Sequence, residues 1–129
     1  LSETCETKLI SKRNYHKELL NSQMTFSPFG WGEICYRDFE AYFSGSLLIK
    51  PSMEHLETWP NLYIKNKTYI PCRWDLEDLV DLINSYSDIK NLKIPINAKN
   101  IYNKYLNKTS GEFEFTNRFK SLIDNLILD

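Results

Sequence analysis

The chain predicts an α/β domain built on a parallel sheet with helices on both faces. Short apolar segments alternate with amphipathic ones along the sequence, the pattern of strands joined through helices. The stretch from Ser27 to Ile49 (SPFGWGEICYRDFEAYFSGSLLI) is a compact strand–loop–helix–strand unit, with glycines in its loop. Such a unit can hold a phosphate at the helix N-terminus. A length of 129 residues is one domain's worth of chain, read here as a single domain over 1–129, and long enough for a core without staples.

The elements follow in order. Residues 1–12 are polar and without period. Tyr15, Leu19 and Leu20 fall at helical spacing and predict a short helix over Tyr15–Asn21. Met24–Ser27 reads as a strand closed by Pro28 and Gly30. Glu33–Ser44 reads as a helix whose apolar surface comes from Ile34, Phe39, Ala41 and Phe43, with Gly45 as its stop. Ser46–Lys50 is a buried strand ended by Pro51. A long aromatic loop, Ser52–Asn66, carries His55; loops of that length in a small domain are functional or covering.

Thr68–Pro71 is the next strand. In the following helix Asp75 is the N-cap candidate, with Asp78 three positions on, and Leu76, Leu79, Val80, Leu82 and Ile83 form the apolar face. Asp75, Glu77 and Asp78 crowd its first turn, where they complement the helix dipole, and are read as structural. Residues 95–107 suggest another helix. Phe113–Leu128 suggests a last one, with Phe115, Phe119, Leu122, Ile123, Leu126 and Ile127 on one side.

Composition narrows the function classes. A net charge of −1 provides no basic field for nucleic acid. Aromatic residues make up 14 % of the chain, which favours a packed domain over a disordered one. Cys5, Cys35 and Cys72 are widely spaced, odd in number and without a CxxC pair. They read as reduced thiols rather than a disulfide framework or a zinc site. Neither His16 nor His55 joins a cluster with metal-ligand spacing, so no metal and no cofactor is expected. No apolar run approaches the ~20 residues of a membrane span, and no leader pattern is present, which reads as cytoplasmic. The chain begins at Leu1 rather than Met, and is expected to be part of something longer.

From Ser27 to Leu79 the order of pieces is SPFG, RDFEA, SG, LLIKP, TYIPCRW and DLEDL. This order and spacing resembles the C-terminal, donor-binding half of GT-B fold glycosyltransferases, in the group that includes exostosin-like enzymes. The resemblance implies a Rossmann-like three-layer domain with a parallel sheet of about four to six strands. It implies a nucleotide-sugar donor as ligand, with the acceptor site and any general base in an N-terminal half that this chain lacks. In such enzymes the glutamate before the alanine binds the ribose hydroxyls, and Glu40 holds that place. A carboxylate accepts both protons of a cis-diol. Arg37 matches the arginine near the diphosphate and offers a fork of donors.

The Ser27–Glu33 loop would offer backbone N–H groups and the Ser27 hydroxyl, with Gly30 and Gly32 permitting close approach. The chain departs from many retaining members at the position of their earlier glutamate, which is Gly32 here; Glu33 is the nearest acid. Trp31 is read either as a stacking residue or as a plug of the loop onto the core, and Trp59 and Trp74 as packing residues. Two other readings compete. One is a non-catalytic nucleotide- or protein-binding α/β module. The other is a small stand-alone enzyme using Glu33 or Glu40 as general base with His55.

Overall fold

A computed structural model describes residues 8–88 and 93–128. The described residues form a mixed α/β structure with a three-stranded parallel sheet and five helices. In chain order these are α1 (Lys12–Asn21), β1 (Met24–Phe26), α2 (Tyr36–Ser44), β2 (Leu47–Pro51), β3 (Ile70–Cys72), α3 (Leu79–Ser87), α4 (Lys93–Leu106) and α5 (Lys108–Leu128). The sheet order is β1-β2-β3, with Thr25 opposite Leu48 and Lys50 opposite Pro71. The sheet has fewer strands, among the described residues, than the four to six implied by the resemblance.

The central strand explains the architecture. Every residue of β2, LLIKP, is buried. Successive side chains of a strand point to opposite faces, so a run buried throughout needs cover on both. Leu48 packs with Ala41 and Tyr42 of α2 and Ala98 of α4. Leu47 and Ile49 pack with Ile70, Cys72 and Leu79, joined by Leu82 and Ile83 of α3. Helices therefore cover both faces, as the alternation of segments predicts.

The chain passes from β2 to β3 through residues 52–69 without a helix. Met53, Leu62 and Tyr63 from this stretch are buried in the α2 and α4 side of the core. Several polar atoms of this stretch are paired. Tyr42 Oη donates to Leu62 O at 2.9 Å, Met53 N–H donates to Tyr69 Oη at 3.0 Å, and Thr68 Oγ1 accepts from Ile64 N–H at 2.8 Å. A buried loop needs such pairing because its backbone has no ladder partners. The long loop is thus a covering element.

Local chemistry shifts several boundaries. The helix expected from Tyr15 begins at Lys12, because Ser11 Oγ accepts from Asn14 N–H at 3.3 Å and caps it. The helix expected from Glu33 begins only at Tyr36, which leaves Glu33 and an exposed Ile34 in the preceding loop. Gly45 stops α2 as expected, at φ 79° with its N–H on Ala41 O at 3.0 Å.

The expected N-cap at Asp75 is corrected. Leu76 adopts φ 62°, which no helix interior accommodates, so α3 starts at Leu79. Asp75 Oδ1 instead accepts from Glu77 N–H at 3.1 Å, and Asp78 Oδ1 from Arg73 N–H at 2.9 Å. Val80, expected on the apolar face, is exposed. In α5 the apolar side predicted from Phe115 to Ile127 exists but remains exposed, and Phe115 stacks on Phe119 with centroids 6.1 Å apart.

Candidate functional site

The carboxyl end of the sheet holds a buried charged group. Lys50 lies near the end of β2, in a strand with no exposed face. Its ammonium must meet a counter-charge there, since an unpaired buried charge costs several kcal/mol. Asp38, in the first turn of α2, provides it: Lys50 Nζ sits 3.2 Å from Asp38 Oδ2 and both side chains are 0 % exposed. Lys50 Nζ also donates to Ser27 O at 3.4 Å and lies 5.0 Å from the centroid of the Phe29 ring.

The same Asp38 oxygen accepts from Cys35 N–H at 3.1 Å, closing the N-terminus of α2, and from Tyr63 Oη at 2.7 Å. Burial, and then this bond to Asp38, drive the Tyr63 hydroxyl pKa well above the usual tyrosine value. Asp38 thereby ties together β2, the turn into α2 and the covering loop. Lys50, Asp38 and Tyr63 were not among the residues singled out from the sequence. The signal was there: a lysine inside an otherwise apolar, buried strand requires a partner.

Above this floor lies a cleft of about 270 Å³, walled by Phe29, Gly30, Arg37, Glu40, Tyr15 and Tyr36, among others. It brings together Gly30, Arg37 and Glu40, three of the residues singled out from the sequence. Arg37 and Glu40 are three apart on α2 and so share a helix face. Tyr15, reaching over from α1, donates its hydroxyl to Glu40 Oε2. Burial and the neighbouring Glu40 carboxylate raise the Tyr15 pKa, which keeps the hydroxyl protonated and donating.

The other predicted residues lie elsewhere. Ser27 is fully buried beneath the cleft; its N–H donates to Ile49 O at 2.9 Å, and its Oγ has no hydrogen-bond partner among the described residues. In this conformation Ser27 presents neither group to the surface. Gly30 N–H donates to Gly32 O at 3.1 Å, turning the loop back on itself. Glu33 is not among the walls of this cleft; its Oε1 lies 3.8 Å from His55 Nε2. Trp31 is fully exposed and does not plug the loop onto the core. Cys35 Sγ contacts Pro28 O at 3.5 Å and so holds the loop to the start of α2.

The acids expected in the first turn of α3 precede it instead, and pair locally: Arg73 with Asp75 and, at 3.2 Å, with Glu77. Cys35 is half-buried and Cys72 buried, both free, while Cys5 lies outside the described residues. Among the described residues there is no cluster of three or more His, Cys, Asp or Glu able to hold a metal, and no helix is long and apolar enough to cross a membrane.

Fold and site together define a mixed α/β protein with a cleft, lined by aromatic residues and by Arg37 and Glu40, at the carboxyl ends of parallel strands, where ligands bind in open α/β sheets. No protein family, no curated protein and no solved structure matches the chain.

Proposed function

We propose that this chain is the donor-binding half of a glycosyltransferase, a Rossmann-like three-layer domain forming one half of a GT-B architecture. It binds a nucleoside diphosphate sugar for glycosyl transfer to an acceptor. The observation that carries the reading is the cleft shared by Arg37, Glu40 and the Pro28–Gly30 turn at the carboxyl edge of a parallel sheet.

Glu40 accepts the two ribose hydroxyls, with Tyr15, a wall of the same cleft, donating to one carboxylate oxygen and fixing its orientation. Arg37, at the second position of α2, faces the diphosphate together with the positive end of the helix. As the glycosyl bond breaks, the leaving diphosphate gains negative charge, which this arrangement stabilises through pre-oriented donors. The acceptor site and general base belong to the other half, so this chain alone binds donor without turnover. The domain is proposed to work in the cytoplasm.

The test is a titration of the chain with UDP, GDP, ADP and CMP, followed by two-dimensional NMR, with Glu40→Ala alongside. One nucleotide is expected to shift the resonances of residues 28–40, and Glu40→Ala to abolish that response while the fold persists. A folded chain that binds none of them at millimolar concentration would sink the reading and leave a protein-binding module in its place.

A further inference from the structure

Three aromatic side chains meet at the carboxyl edge of the sheet, one from the loop after each strand. Phe29 follows β1, His55 follows β2 and Trp74 follows β3. Phe29 and Trp74 meet edge to face with centroids 4.9 Å apart, His55 and Trp74 are 5.3 Å apart, and Phe29 and His55 are 6.4 Å apart. Core packing accounts for Phe29, which lies against the α2 and α4 side of the core, but not for the other two rings. Phe29 covers Lys50 beneath it, but Trp74 remains 62 % exposed. Trp74 is a large ring held in place by its neighbours and open to solvent, which leaves its face available to a ligand.

The cluster also has a position. Phe29 walls the cleft of Arg37 and Glu40, while Trp74 walls a second cleft of about 450 Å³ that includes Ser52, Glu54, Lys65 and Arg73. The aromatic ridge therefore separates two adjoining clefts, and a ligand extending from the first into the second crosses it. The groups beside the ridge are rich in acceptors. Glu33 Oε1 lies 3.8 Å from His55 Nε2, and Glu54 Oε2 lies beside Ser52 Oγ at 3.2 Å. The cations there are engaged, Lys65 with the same Glu54 Oε2 at 3.0 Å and Arg73 with Asp75 and Glu77, which leaves Glu54 Oε1 as the acceptor without a partner among the described residues.

We infer that the Phe29–His55–Trp74 ridge is the seat of a pyranose ring, the sugar of the donor. This rests on the donor-binding reading above. A pyranose has a C–H face that packs on an aromatic ring and a rim of hydroxyl donors that ionised carboxylates accept. A nucleobase carries mixed donors and acceptors at its edge and is less suited to a rim of carboxylates.

The experiment follows the Trp74 indole N–H and the Glu40 amide by NMR in the full chain. The probes are UDP, GDP and ADP, the sugar nucleotides UDP-glucose, GDP-mannose and ADP-glucose, and methyl glucoside alone. The expected result is a Glu40 shift with one nucleotide and its sugar nucleotide, and a Trp74 shift with the sugar nucleotide only. Trp74→Ala should weaken the sugar nucleotide about tenfold and leave the bare diphosphate unchanged. His55→Ala, at a half-exposed position, should do the same and guards against a Trp74 variant that misfolds.

An unmoved indole beside a shifting Glu40 rejects the sugar seat and keeps the nucleotide cleft. Equal indole shifts with and without the sugar place the base there and also reject it. Indole shifts with a sugar nucleotide, with Glu40 unmoved by every nucleotide and sugar nucleotide, uphold the seat and refute the nucleotide cleft; an indole shift with methyl glucoside alone supports the seat. No response to any probe refutes both.

Discussion

Lys50 Nζ and Asp38 Oδ2 form an ion pair of 3.2 Å with neither side chain exposed. It joins the end of β2 to the first turn of α2, the helix that carries Arg37 and Glu40. Its value to the fold lies in what happens when it is broken. Removing one partner leaves the other charged in the core, and that imbalance costs far more than the intact pair contributes.

Lys50→Met should therefore destabilise the chain by about 3–5 kcal/mol, and Asp38→Asn with Lys50→Met together by clearly less than Lys50→Met alone. Urea unfolding of the two variants and the unsubstituted chain tests this. A Lys50→Met cost below about 1 kcal/mol would mean that the pair is solvated, against the burial described here.

Tyr63→Phe removes the hydroxyl that donates to Asp38 Oδ2 at 2.7 Å and should cost about 1–3 kcal/mol. It should also alter the alkaline limb of stability. Burial raises the Tyr63 and Tyr42 pKa values above the ordinary 10.0. An acid with a raised folded-state value contributes stability that is complete below the unfolded value and is lost as pH climbs above it. Unfolding free energy should thus fall from about pH 10 upward. Tyr63→Phe should fall less steeply, as measured by denaturant titrations across that range.

Glycines separate structural from binding demands. Gly45 sits at φ 79°, so Gly45→Ala should cost about 1–2 kcal/mol. At Gly111 a Cβ would lie 2.4 Å from the Tyr105 carbonyl oxygen, a backbone atom that cannot swing aside. Gly111→Ala should therefore unseat α5 from α4 and lower the melting temperature. Around Gly32 a Cβ meets nothing within 4 Å, so Gly32→Ala should leave stability unchanged. Any loss of nucleotide binding in that variant would then report contact with ligand. A drop in melting temperature instead would contradict the open loop.

The two described thiols should react unequally. Burial and the nearby Asp78 raise the Cys72 pKa to about 11, and the residue is buried under α3. Iodoacetamide at pH 8 should alkylate Cys35 well before Cys72, as read by peptide mass spectrometry, and unfolding should equalise the two. Faster labelling of Cys72 in the folded chain would show that β3 opens locally.

Much of the fold is legible in the residues. Periodicity marks α1, α2 and the helices after β3, and apolar runs with Pro or Gly at their ends mark the strands. These signals are local, set by neighbours a few positions apart. The start of α3 was misread because Asp75 resembles a cap, while the left-handed backbone at Leu76 depends on how Asp78 binds back to Arg73 N–H. The α2 boundary moved for a similar reason, since Asp38 closes on Cys35 rather than on an earlier residue.

The candidate site divides along the same line. Arg37 and Glu40 share a face because the helix repeat dictates it, so their juxtaposition followed from the sequence alone. Three other relationships required the folded chain: Tyr15 on Glu40, twenty-five residues away; Tyr63 and Lys50 on Asp38; and Phe29, His55 and Trp74 gathered from three loops. The sequence by itself determined which segments become strands and helices, because those depend on repeat and local hydrogen bonding. Only the tertiary structure decided which side chains meet at the carboxyl edge, because parallel pairing brings together strand ends that lie far apart along the chain.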